Sequence, residues 1–158
     1  MTEVLYINTD SSKEDKYKQL IPQIEGLLKG ESNIIANLAN TSAALKQTFD
    51  FFWVGFYLVE KDSLVLGPFQ GTIACTRIKY GKGVCGTAWH KRETIIVENV
   101  ELFPGHIACD ANSKSEIVIP IIRNDDVIAV LDIDSQYLNH FDETDARYLQ
   151  QVVSLLNF

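Results

Sequence analysis

Long apolar runs are missing from this chain. The longest, Ile117 to Ile122 and Val127 to Ile133, are strand-length, whereas a membrane helix needs roughly 20 apolar residues. A secretory leader is missing as well: MTEVLYINTDSSKEDK has no basic start and no apolar centre, so the expected address is the cytoplasm. Positive charge is in short supply. Lysine and arginine number 14 against 21 aspartates and glutamates, a net charge of -7. That balance argues against a nucleic-acid binder, which needs a basic face for phosphate, and against docking on anionic lipid. Repeats, linkers and low-complexity segments are absent, and 158 residues with 46% hydrophobic content suit one soluble domain spanning 1–158. Cysteine is rare too, and only Cys75, Cys85 and Cys109 are present. Three thiols cannot all pair with one another, and a reducing compartment gives no structural need for disulfides.

What is present reads as helices flanking strands. Leu20, Ile24, Leu27, Leu28, Ile34, Ile35, Leu38 and Leu45 recur near the helical period and predict helix across 17–47. Gly30 is expected to interrupt it, Ser32 to cap the second half, and Pro22 to begin or kink a turn. FFWVGFYLV, from Phe51 to Val59, reads as a buried strand, paired with Ser63 to Phe69 across a Glu60–Asp62 turn. A third strand is expected at Thr72 to Ile78, a short helix at Val84 to His90 and a short strand at Thr94 to Val97. Glu101 to Ser115 reads as loop. Glu116 to Ile122 and Val127 to Ile133 form a predicted hairpin. Asp142 is expected to cap a last helix with the stripe Leu149, Val152, Val153 and Leu156. The fold class is α+β: a mainly antiparallel sheet with the terminal helices on one face and long loops enclosing a pocket on the other. The apolar stripes of the terminal helices suit either the core or a homodimer interface.

The chemistry-bearing residues gather near the predicted loops. Cys109 lies in the polar, irregular FPGHIACDANSKSE. Cys75 follows an apolar strand run. Cys85 stands near a helix start, where the helix dipole lowers a thiol pKa. A zinc site from Cys75, Cys85, Cys109 and His106 is disfavoured, because structural zinc ligands usually come in pairs a few residues apart. Nine residues separate Cys75 from Cys85 and twenty-three separate Cys85 from Cys109. In VIAVLDIDS, Asp132 and Asp134 interrupt an apolar strand, and period-two geometry puts both on one face. Glu116 opens the neighbouring strand. Three acids on adjacent strands can share one pocket, raise one another's pKa and attract an ammonium group. Trp53, at the head of the aromatic strand, is either core or the wall of that pocket.

WVGFY (Trp53 to Tyr57), GVCGTAW (Gly83 to Trp89), HIACD (His106 to Asp110), SEIVIP (Ser115 to Pro120) and VLDIDS (Val130 to Ser135) resemble the free methionine-(R)-sulfoxide reductases, small stand-alone GAF-domain enzymes. The resemblance covers nearly the whole chain. It implies a GAF fold, with Cys109 as nucleophile, Cys75 as resolving cysteine and Cys85 as a third cysteine able to enter disulfides. It implies that Glu116, Asp132 and Asp134 hold the substrate amino group and sulfoxide, and that Trp53 walls the methyl group. Free methionine-(R)-sulfoxide is the implied substrate and thioredoxin the implied reductant, with no metal or organic cofactor. The rival from another class is a ligand-sensing GAF module without catalysis, against which the expected lack of an attached output domain counts.

Overall fold

The computed structural model describes residues 3–158. Ser12 accepts a hydrogen bond from the Asp15 amide and starts helix α1 (Lys13–Leu28). Pro22 neither starts nor interrupts it, since Tyr17, Leu20, Ile24 and Leu28 bury one continuous face on both sides of the proline. Helix α2 (Ile34–Phe49) is capped by Asn33, one residue later than expected, because its side-chain carbonyl accepts from the Ala36 amide.

Strand β1 (Trp53–Glu60) pairs with β2 (Ser63–Gln70) through a tight turn at Lys61 and Asp62. The expected third strand is only β3 (Arg77–Lys79). The residues before it form a loop. Side chains of β1 satisfy two of its carbonyls: Trp53 Nε1 donates to Thr72 O at 3.0 Å and Tyr57 Oη to Cys75 O at 2.9 Å. Helix α3 (Gly83–Lys91) and strand β4 (Ile95–Val97) follow. Then β5 (Ser115–Arg123) and β6 (Asp126–Ser135) form a hairpin, and Asn124 and Asp125 turn it with φ of 49° and 65°. Positive φ at both central residues gives the turn whose twist matches the strands. Helix α4 (Glu143–Ser154) ends the chain, capped by Asp142 as expected.

The six strands form one antiparallel sheet in the order β3-β2-β1-β6-β5-β4. Strand alternation divides it cleanly. Val54, Phe56, Ile117, Ile119, Ile121, Ala129, Leu131 and Ile133 pack against α1, α2 and α4. Trp53, Tyr57, Val118 and Val130 face the other way. Loops alone were expected to cover that second face, but α3 shares it, burying Val84, Cys85 and Ala88 there. Among the described residues, no helix is long and apolar enough to cross a membrane.

The ends of the chain meet at one buried carboxylate. Asp145, 1% exposed, accepts from Tyr17 Oη at 2.7 Å and from Lys13 Nζ at 2.6 Å. It also accepts from the Asp142 amide at 3.0 Å, closing the capping box of α4. Asp145→Ala strands the buried Tyr17 hydroxyl and takes from Lys13 its nearest carboxylate, leaving the ammonium with His140 O and Asp142 Oδ2. The expected cost is about 2–3 kcal/mol, or roughly 4–10 °C in Tm for a chain of this size. A thermal melt unchanged to within about 2 °C would mean that packing alone joins the terminal helices.

Candidate active site

On the second face of the sheet the ladder sets polar residues side by side. Glu116 of β5 lies opposite Asp134 of β6, and Asp134 lies opposite Trp53 of β1. Asp132, one pleat along, stands between Val118 and Gly55. The alternation that sends Leu131 and Ile133 to the helical core therefore sends both aspartates into a cavity, as their spacing predicts.

Two glycines let Trp53 lie flat over the sheet. A Cβ at Gly55 would come within 2.3 Å of Phe69 Cβ and 2.8 Å of the indole, and one at Gly71 within 2.5 Å of the indole. The ring stacks on Phe69 with centroids 5.2 Å apart. It forms one wall of the cavity.

Two loops roof the cavity. The segment before β3 carries Cys75, and the segment between the 3-10 turn Val100–Leu102 and β5 carries Cys109. The two cysteines, 34 residues apart, form a disulfide with Cα atoms 5.5 Å apart. Thr72 Oγ1 donates to Asp110 Oδ2 at 2.8 Å and ties the same loops a second time. Ser113 Oγ donates to Asp134 Oδ1 at 2.6 Å, fastening the second loop to the cavity floor. Cys109 is exposed, Cys75 half-buried and Cys85 buried. Behind the disulfide the cavity measures about 40 Å³, room for a few waters but not for an amino acid.

The residues singled out from sequence thus line one cavity, except Cys75, which sits in its roof: Cys85, Cys109, Trp53, Glu116, Asp132 and Asp134. The zinc ligand set drawn from sequence does not assemble, since Cys75 and Cys109 are bonded to each other. Tyr57 and Ser113 were missed. Tyr57 follows Trp53 by four residues on the same strand, so period-two alternation could have placed it on the cavity face. Ser113 carried no signal, because the course of a long loop is not written in local pattern. His106 reaches Glu116, Nε2 to Oε2 at 3.6 Å, and partial burial lowers its basicity.

Burial dominates the electrostatics. It raises the pKa of Glu116, and the nearby charge of Asp134 adds to it. Asp132 is raised by burial and then by Glu116. Asp134 is raised by burial and then by Asp132, against the hydrogen bond from Ser113. Asp132 Oδ1 has no hydrogen-bond partner. The Cys85 thiol does stand in the first turn of α3, but its pKa moves opposite to the helix-dipole expectation. Burial pushes it well up, and Asp132 and Glu116 add to the shift.

A family profile described as GAF domain matches residues 32–158. "GAF domain-containing protein A" of Dictyostelium discoideum is 63% identical over 92% of this chain and 93% of its own length. The "Free methionine-R-sulfoxide reductase" of Escherichia coli (strain K12) is 49% identical over 92% of this chain and 88% of its own. An X-ray structure of free methionine-R-sulfoxide reductase from Neisseria meningitidis, in complex with its substrate, superposes with a TM-score of 0.96 at 50% identity. That match covers 98% of this chain and 93% of the other.

Raised carboxyl pKa values make the ligand-free protein pH-sensitive. A folded-state acid with a raised pKa stabilises fully below its unfolded pKa, and that contribution is lost as pH rises through the folded value. Glu116→Gln removes the acid at nearly constant shape. At pH about 8 the ligand-free, disulfide-bonded variant should melt above the unsubstituted protein by roughly 2–4 °C, about 1 kcal/mol. The gap should close as pH falls toward about 4, where ordinary carboxyls protonate. Parallel melting curves across that range would contradict the raised pKa.

Proposed function

The chain belongs to the GAF domain family and, within it, to the free methionine-R-sulfoxide reductases, and on that premise we propose that it reduces free methionine-R-sulfoxide to methionine with its own thiols. The observation that carries this reading is the Cys75–Cys109 disulfide lying over a floor of three buried carboxyls. A thiol pair at the mouth of an acidic pocket suits a reaction that consumes two electrons and two protons.

In the reduced protein the Cys109 thiolate attacks the sulfoxide sulfur. Oxide is a poor leaving group, and a protonated carboxyl of the Glu116, Asp132 and Asp134 group gives its oxygen a proton. The protonated oxygen passes from the substrate sulfur to the Cys109 sulfur as the substrate's sulfur–oxygen bond and the new sulfur–sulfur bond break. Methionine leaves with the electron pair, reduced by two electrons, and Cys109 is left as a sulfenic acid. The Cys75 thiol condenses with it, releasing water and forming the disulfide. An external dithiol then exchanges both sulfurs back to thiols. The exposure of Cys109 supports attack by a protein dithiol, and thioredoxin is the reductant in this reading. Cys85, buried against Asp132, serves as a neutral hydrogen-bond donor to the floor.

An ionised carboxylate holds the substrate ammonium while Trp53 takes the methyl group. The amine of a peptide is an uncharged amide, so the floor selects the free amino acid. Residues 1–158 act as one GAF domain in the cytoplasm, with no metal or organic cofactor. A homodimer would use the helical side, where Ile35 and Phe158 keep apolar surface exposed.

Single-turnover chemistry separates the two thiols. Reduced Cys75→Ser, without added reductant, should still release about one methionine per chain, because attack and resolution are separate steps. Cys109→Ser should release none. Methionine formed by Cys109→Ser would overturn the nucleophile, and full thioredoxin-dependent turnover by a Cys75→Ser, Cys85→Ser double variant would overturn the disulfide. Substrate choice is tested by N-acetylation, which removes the positive charge and leaves the sulfoxide intact. Losing a charge-assisted hydrogen bond costs roughly 1.5–3 kcal/mol, so kcat/KM should fall at least about tenfold. Equal rates on the free and acetylated substrates would refute the ammonium-binding floor.

A further inference from the structure

Three buried groups at the base of the cavity have a geometry that oxygen transfer does not require. Cys85 Sγ, a carboxylate oxygen of Glu116 and one of Asp132 all lie within 4.8 Å of one another. Their residues come from α3, β5 and β6, so the sheet ladder and the packing of α3 fix the group, not a mobile loop. Asp132 is 6% exposed and its Oδ1 meets no donor, a costly state for a buried carboxyl oxygen. One sulfur and two oxygens are a donor set that zinc and its analogues accept, in sites of three protein ligands with a fourth position open. A hard cation such as Mg²⁺ would gain little from the thiol and would demand octahedral oxygen.

We propose that Cys85, Glu116 and Asp132 form a binding site for a thiophilic divalent cation of the zinc class at the floor of the cavity. The ion binds to the thiolate and both carboxylates and releases the protons these groups carry when empty. It occupies the place assigned above to the substrate ammonium, so loading with metal blocks the pocket. That consequence rests on the proposed function, but the binding does not. The ligand set differs from Cys75, Cys85, Cys109 and His106: it needs neither thiol of the disulfide, so the oxidised protein binds the ion.

The test uses oxidised full-length protein, in which Cys85 is the one free thiol, and Co²⁺ as the probe. One equivalent should bind, with near-ultraviolet thiolate-to-cobalt absorption. Cys85→Ser should lose that absorption. Outer-shell substitutions alone cost about 10–100-fold in metal affinity, so Glu116→Gln and Asp132→Asn, which remove ligands, should weaken binding at least tenfold. The carboxyl variants carry the test if Cys85→Ser does not fold. No thiolate band in the unsubstituted protein, a band that survives in Cys85→Ser, or affinities within about twofold in both carboxyl variants would overturn the site. A second arm measures single turnover of reduced, reductant-free enzyme with and without Zn²⁺. Inhibition relative to each protein's own metal-free rate should be at least tenfold weaker in Cys85→Ser than in the unsubstituted protein. Equal inhibition would assign the effect to the Cys75 and Cys109 thiols. Failure of turnover without metal would instead strike the proposed function and leave the cobalt result standing.

Discussion

Keeping three carboxyls out of water on one face of a sheet is the constraint around which this molecule is organised. Glu116, Asp132 and Asp134 are held by the β5–β6 register, and neighbouring strands bring their charges close together. Ionised together, they would repel at short range in a medium that screens poorly. The protein offsets that cost in two ways. Burial shifts all three carboxyls toward the protonated form, and Ser113 gives Asp134 a hydrogen bond. The rest of the cost remains in the ligand-free state, seen in the unpartnered Asp132 Oδ1. The proposed ammonium or cation would meet that oxygen, and in that reading stability is given up for function there.

The roof follows from the floor. Covering the carboxyls requires two loops that would otherwise expose backbone and apolar edges. Trp53, Tyr57 and Ser113 hold those loops to the sheet by hydrogen bonds. The disulfide and the Thr72–Asp110 bond join the loops to each other. The cysteine pair therefore has a mechanical consequence besides its chemistry. With the bond closed, the cavity behind it measures about 40 Å³, and the disulfide is part of its roof.

Strands and acids were legible in the sequence because their signal is local. Leu131, Asp132, Ile133 and Asp134 alternate, and alternation fixes which residues share a face. Asp142 announced its helix by side-chain chemistry alone. The misreadings arose where distant contacts outweigh local pattern. Thr72 to Thr76 look like strand, yet the Thr72 and Cys75 carbonyls are taken by β1 side chains and the segment stays a loop. Pro22 looks like a helix boundary, yet burial on both sides carries α1 through it. Cys85 looks activated by a helix start, yet burial pushes its pKa up and the acids of the neighbouring strands add to the shift. The disulfide pairing entered only through family resemblance, since no spacing rule selects Cys75 and Cys109 from the possible pairs.

The central claim is that the floor acids hold protons that ordinary carboxyls would have lost. Carboxyl ¹³C shifts of labelled Glu116, Asp132 and Asp134 in the ligand-free, disulfide-bonded protein, followed against pH, test it directly. The account predicts that the titration of the group extends well above the ordinary carboxyl range, and that only the Asp134 titration is left there when Glu116→Gln and Asp132→Asn are combined. Three independent titrations near the ordinary carboxyl pKa of about 4 would contradict it.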